Sequence, residues 1–151
     1  MLELFPQVRA FVFEVDGVLT DGYLLLGLES GCLRSFSAKD LYALQKAVRR
    51  GYSVRVVAPE IRVAGLSPLL DEGGIPLISR AGLASVMDVP TLYMASELTA
   101  PEIMGNCFFP CCPANAAAEV KALAKYISPN PGGTGCVRDV VEKVLRLNAD
   151  W

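Results

Sequence analysis

Two carboxylates stand two residues apart in an otherwise apolar run, Glu14 and Asp16 in Phe11-Val12-Phe13-Glu14-Val15-Asp16-Gly17. Side chains alternate across a strand, so residues 14 and 16 share one side. Such a pair can hold Mg²⁺ through oxygen ligands. It can also divide labour, one group as nucleophile and one as general acid or base. The bland alternative is a charged strand end followed by an Asp-Gly turn. The chain contains no histidine. Ser-His-Asp and Cys-His catalysis, imidazole bases and histidine-containing metal sites are thereby excluded. Any chemistry rests on carboxylates, Lys, Arg, Tyr, hydroxyls or Cys.

The cysteines at 32, 107, 111, 112 and 136 are odd in number and form no CxxC pair. They read as reduced, mostly buried thiols of a cytoplasmic protein. Sixteen acidic and fourteen basic residues leave a formal charge of −2. That balance offers no grip on nucleic acid. No apolar run is long enough to span a membrane, and MLELFPQVRA does not read as a signal peptide.

The elements that must position the pair alternate between strand and helix. This predicts one α/β domain over residues 1–151, with a mainly parallel sheet and no linker. Val8 to Val15 is a nearly continuous apolar run, as in a strand with both faces covered. Tyr23–Leu28 and Cys32–Phe36 flank Glu29-Ser30-Gly31 and predict a β-hairpin. Ser37 reads as an N-cap, with Asp40 in the first turn of a helix carrying Leu41, Leu44, Ala47 and Val48. Ser53–Ala58 is a second buried strand, and a helix is expected from about residue 62 to 72. Short strands are expected near 76–78, 91–95 and 106–110, and short helical pieces near 84–87 and 100–104. Ala114–Ala124 reads as helix, 129–133 as loop, and Cys136–Leu147 as a final helix with Val137, Val140, Val141 and Val144 on one face.

FVFEVDGVLTDG resembles the first motif of haloacid dehalogenase superfamily phosphatases, DxDGxxTDG. The hairpin, SAKDLYAL, Pro113-Ala114-Asn115-Ala116 and GGTGCVRD (132–139) resemble one branch, over roughly residues 8 to 147. That branch holds the phosphatases of 3-deoxy-D-manno-octulosonate 8-phosphate and related nonulosonate 9-phosphates. It also holds the C-terminal domain of vertebrate CMP-sialic acid synthetase. The resemblance implies a three-layer Rossmann-like sandwich without a large cap domain. It implies an Asp nucleophile, an Asp acid/base two residues on, a Thr or Ser and a Lys on the phosphoryl oxygens, and a late acidic motif completing a Mg²⁺ site. Phosphoryl transfer needs these groups for positioning and charge neutralisation.

Against that pattern the nucleophile position is Glu14, and Asp16 keeps the acid/base position. Ala58 stands where the phosphate-binding hydroxyl is expected, and Glu60 where the branch often carries Arg. No lysine lies between Lys46 and Lys121, and Arg80 is the cation nearest the expected place. The late motif reads Met94-Ala95-Ser96-Glu97-Leu98, and Thr134 replaces the Arg of GGRG. The expectation is an impaired phosphatase-like protein acting through oligomerisation or scaffolding. A Mg²⁺ site on Glu14, Asp16 and Glu97 would be weak or absent. Arg80 and Arg138 are substrate-side candidates. The alternatives are an active Mg²⁺-dependent sugar-phosphate phosphatase with Glu14 as nucleophile, and a ligand-binding module.

In the branch the hairpin packs against its symmetry mates, so the resemblance implies a homotetramer. Tyr23, Leu24, Leu25, Leu26, Leu28 and Phe36 are the interface candidates. Three consecutive leucines suit a ribbon covered on both faces, which two strands cannot achieve alone. A nonulosonic-acid pathway enzyme is the partner that the resemblance suggests.

Overall fold

Strand β1 (Ala10–Glu14) is buried along its whole length, as its unbroken apolar run demands. The computed structural model describes residues 1–29, 31–61 and 65–151. After β1 come the hairpin strands β2 (Leu25–Gly27) and β3 (Gly31–Leu33), then helix α1 (Ala38–Arg49) and β4 (Ser53–Val57). Helix α2 (Leu66–Glu72), β5 (Leu77–Ile78) and β6 (Thr91–Met94) follow. The chain ends with α3 (Pro101–Asn106), β7 (Phe109–Cys112), α4 (Ala118–Leu123), β8 (Tyr126–Ile127) and α5 (Cys136–Leu147).

Six strands form one parallel sheet in the order β5-β4-β1-β6-β7-β8. β1 lies inside it, and the chain winds outward from it in both directions. Ligands of such sheets sit beyond the carboxyl ends of the strands, where the winding reverses. Glu14 is the last residue of β1 and lies at that place.

The sheet separates two apolar layers. Phe11 and Phe13 face Leu44 and Ala47 of α1 and Val137, Val140, Val141 and Val144 of α5. Val12, Val57 and Tyr93 face Met104 of α3 and Val120 of α4. Among the described residues there is no large cap on the sandwich. Alternation along β1 sends Glu14 to the same side as Val12.

Several elements differ from the sequence expectation. The strand expected at 106–110 is Phe109–Cys112, because Asn106 still belongs to the helix begun at Pro101. The Ala-rich run is helical only over Ala118–Leu123. Tertiary bonds claim the rest: Ala114 N–H donates to Asn130 O at 3.1 Å, and Ala117 N–H to Ser96 O at 2.9 Å. The short β8 and a 3₁₀ turn at Leu2–Gln7, which buries Phe5, carry no pattern long enough to read in sequence. Ser37 takes the N-cap backbone conformation but makes no side-chain cap bond. Ser30 of the expected hairpin turn and residues 62–64 of the expected helix lie outside the described residues.

Candidate functional site

Glu14 is only 5% exposed, yet its carboxylate is well supplied with donors. β6 runs beside β1 and brings the buried Tyr93 alongside, with Val12 and Tyr93 in register. The Tyr93 hydroxyl donates to Glu14 Oε1 at 2.6 Å. Thr99 Oγ1 donates to the same oxygen at 2.8 Å, and Arg80 Nη1 at 3.0 Å. Arg80 opens a short 3₁₀ turn, Arg80–Gly82, whose cap Ser79 accepts the Gly82 N–H at 3.2 Å. Burial first, and then the adjacent carboxylate, push the Tyr93 phenol well upward, so it stays a donor.

Asp16 leaves the strand. Val15–Leu19 is a tight kinked turn in which Asp16 is extended and Gly17 has φ of 79°. A Cβ at Gly17 would overlap the Ser96 side chain, so only glycine fits on both counts. Thr20 Oγ1 accepts the Gly17 and Gly22 N–H groups at 3.3 and 3.2 Å. The Ser96 hydroxyl donates to the Asp16 backbone carbonyl at 3.0 Å. The Asp16 carboxylate receives a bidentate ion pair from Arg34, with Nε to Oδ1 at 2.6 Å and Nη2 to Oδ2 at 2.9 Å. This hydrogen bonding pushes the Arg34 guanidinium further upward.

Two late segments buttress the turn. Gly133 N–H donates to Val18 O at 2.9 Å, and Gly132 N–H to Asn115 Oδ1 at 3.0 Å. A Cβ on Gly132 would overlap the Gly17 carbonyl, so the glycine pair lets this loop press onto the motif.

Glu14, Asp16, Ala58, Glu60, Arg80 and Glu97 line one cleft of about 240 Å³. The structure therefore gathers the carboxylate pair, the Ala58 position, Arg80 and Glu97 in one place. Ala58 presents a methyl group where a phosphate-binding hydroxyl was sought. Four acids share the lining with one arginine. Among the described residues no three Asp, Glu, Cys or His side chains converge to hold a metal ion. Several of the oxygens that would hold a Mg²⁺ ion already have partners. Glu14 Oε1 already accepts three hydrogen bonds, Asp16 is paired with Arg34, and the Asp16 carbonyl accepts from Ser96.

Arg138 lies elsewhere within the chain. It pairs with Glu142 at 2.9 Å in a separate cleft with Lys39, Lys143 and Arg146. Arg34, Tyr93 and Thr99 were missed from sequence. Arg34 left one signal, a lone cation at the foot of an apolar hairpin. Tyr93 and Thr99 left none, because their partner is about eighty positions away.

On the hairpin, Tyr23, Leu25, Leu26, Leu28 and Leu33 are exposed, whereas Leu24 is half-buried and Phe36 packs against the α1–α5 layer.

No family model matches the chain. The 3-deoxy-D-manno-octulosonate 8-phosphate phosphatase KdsC of Escherichia coli K12 is 24% identical over 150 residues, covering 92% of this chain and 80% of that protein. A hydrolase of Legionella pneumophila, assigned to subfamily III A of the haloacid dehalogenase superfamily, superposes with a TM-score of 0.88 at 22% identity, over 98% of this chain and 87% of that one. The 3-deoxy-D-manno-octulosonate 8-phosphate phosphatase of Moraxella catarrhalis was solved with magnesium, phosphate and KDO. It superposes with a TM-score of 0.85 at 22% identity, over 96% of this chain and 90% of that one. The chain thus shares the fold of haloacid dehalogenase superfamily structures. Within that superfamily, the chain resembles the 3-deoxy-D-manno-octulosonate 8-phosphate phosphatase branch.

Proposed function

We propose that this phosphatase-like chain works through self-assembly, as a homotetramer joined by the Tyr23–Phe36 hairpin, rather than through phosphoryl transfer. One observation carries the proposal. Most of the hairpin's apolar side chains are left open to solvent, with Leu25 68% and Leu26 78% exposed. An uncovered apolar ribbon is an aggregation hazard unless a partner buries it. The cleft supports the second half of the reading. The carboxylate at the nucleophile position is shielded and hydrogen-bonded, and the acid/base carboxylate is held in an ion pair. An approaching phosphoryl group would also meet Glu60 and Glu97.

One observation favours a second reading. Arg80 does reach Glu14, where a phosphate-binding cation is needed. A Mg²⁺-dependent sugar-phosphate phosphatase with Glu14 as nucleophile would use that arginine in place of lysine.

Two measurements separate the readings. Light scattering after gel filtration is expected to show four chains per particle at micromolar concentration; a monomer sinks the assembly reading. Hydrolysis of 3-deoxy-D-manno-octulosonate 8-phosphate is expected to be absent. Turnover that needs Mg²⁺ and disappears in Glu14→Ala establishes the second reading.

A further inference from the structure

We propose that Arg80 and Arg34 are built-in counter-ions that take over the charge-neutralising role of a divalent cation at the Glu14–Asp16 pair. The proposal rests on the reading that this cleft is not a phosphoryl-transfer centre, and it assigns the two arginines their part in it.

The turn after β1 brings two negative charges to one strand end, and a buried or half-buried carboxylate pair needs compensation. Each carboxylate has its own guanidinium. Arg80 sits 3.0 Å from Glu14 Oε1, and Arg34 clamps both oxygens of Asp16 at 2.6 and 2.9 Å. Bidentate pairing of this kind is the strongest that a carboxylate makes with a side chain.

The remaining contacts favour arginine over metal. A hard cation such as Mg²⁺ needs oxygen lone pairs turned inward, in near-octahedral geometry. Here N–H and O–H groups are turned toward those lone pairs. Tyr93 and Thr99 donate to Glu14, and Ser96 donates to the Asp16 carbonyl. A cation binding Glu14 Oε1 would have to displace these donors, and one approaching Oε2 would face two fixed positive charges. Neither arginine depends on the other for its place. Arg80 is set by the Ser79-capped turn, and Arg34 by the foot of the hairpin. The Arg34 side chain is wholly shielded from solvent. The pair therefore also anchors the hairpin's root to the cleft.

Thermal melting in EDTA and in millimolar MgCl₂ tests the proposal. The wild-type protein is expected to melt at the same temperature in both. Arg80→Gln removes one counter-ion. It is expected to melt lower in EDTA and to regain part of the loss with Mg²⁺, through mass action on the exposed charge. Arg80→Gln combined with Glu14→Gln is expected to lose that response. An Arg80→Gln protein that melts like wild type overturns the proposal. Manganese paramagnetic resonance on the wild type needs no variant to fold. Mn²⁺ is expected to stay free, and stoichiometric binding that Glu14→Gln removes overturns the proposal. Metal binding without turnover defeats the counter-ions alone. Turnover in EDTA defeats the assembly-only function and leaves the counter-ions standing.

Discussion

Glu14 carries one methylene more than aspartate, and its carboxylate meets the Tyr93 hydroxyl of the next strand at 2.6 Å. A shift of about 1 Å at a reacting atom can cost roughly a hundredfold in rate. The same length here places the group in a hydrogen-bonded niche. The cysteines show a comparable effect of surroundings. Burial pushes Cys107 and Cys112 up to about 11 and Cys136 up to about 12, and it pushes Cys111 well upward. A thiol with a pKa near 11 is about one-thousandth thiolate at pH 8. Only Cys32, on the hairpin, is partly exposed. Titration of the native protein with a disulfide reagent at pH 8 is expected to show one fast thiol. Four more should appear only in denaturant, and two or more fast thiols would contradict the packing.

At the scale of elements, α1 serves α5 through a single carboxylate. Asp40 is fully buried and accepts the Gly135 and Arg138 N–H groups at 3.2 and 2.8 Å. A helix N-terminus has unpaired donors, and α5 has no side-chain cap of its own. Asp40→Ala strands these groups and is expected to cost about 1–3 kcal/mol, measured by urea unfolding. Desolvation outweighs the two hydrogen bonds and pushes the Asp40 carboxyl upward. The folded state then holds that proton more tightly than the unfolded chain. The group's contribution to stability therefore falls as pH rises from the ordinary carboxylate range through the raised value. The gap between wild type and Asp40→Ala is expected to be widest at the acid end of that window and to narrow above it. A gap that widens with pH would reverse the sign of the linkage.

For the whole molecule, the hairpin stands apart from the sandwich. Among the described residues β2 and β3 pair only with each other, and their leucines face outward. Leu26→Asp with Leu28→Asp places charge on that outer surface. The expected outcome is a shift to monomer in sedimentation velocity, with an unchanged far-UV circular dichroism spectrum. These side chains bury little within their own chain, so loss of the fold itself would show that the hairpin supports the core. No helix among the described residues is long and apolar enough to cross a membrane.

Local patterns determined much of this protein. The apolar run ending at Glu14, the valine stripe of the last helix and the Asp16-Gly17 turn are short-range features, so the strand, the helix and the branch motif were legible from residues alone. The spacing of Glu14 and Asp16 also marked the cleft, because a parallel strand presents its carboxyl end there. Other features had no local signature. The Ala-rich run yields half its length to bonds with distant loops, and β8 is two residues long. Apart from Arg80, which the resemblance already placed near the site, the partners of the carboxylates were decided by tertiary structure alone. Arg34, Arg80, Tyr93 and Thr99 lie 18 to 85 positions from the acids they serve. Sequence named the two negative charges, and only the folding of hairpin, turn and neighbouring strand around one strand end determined which groups would neutralise them.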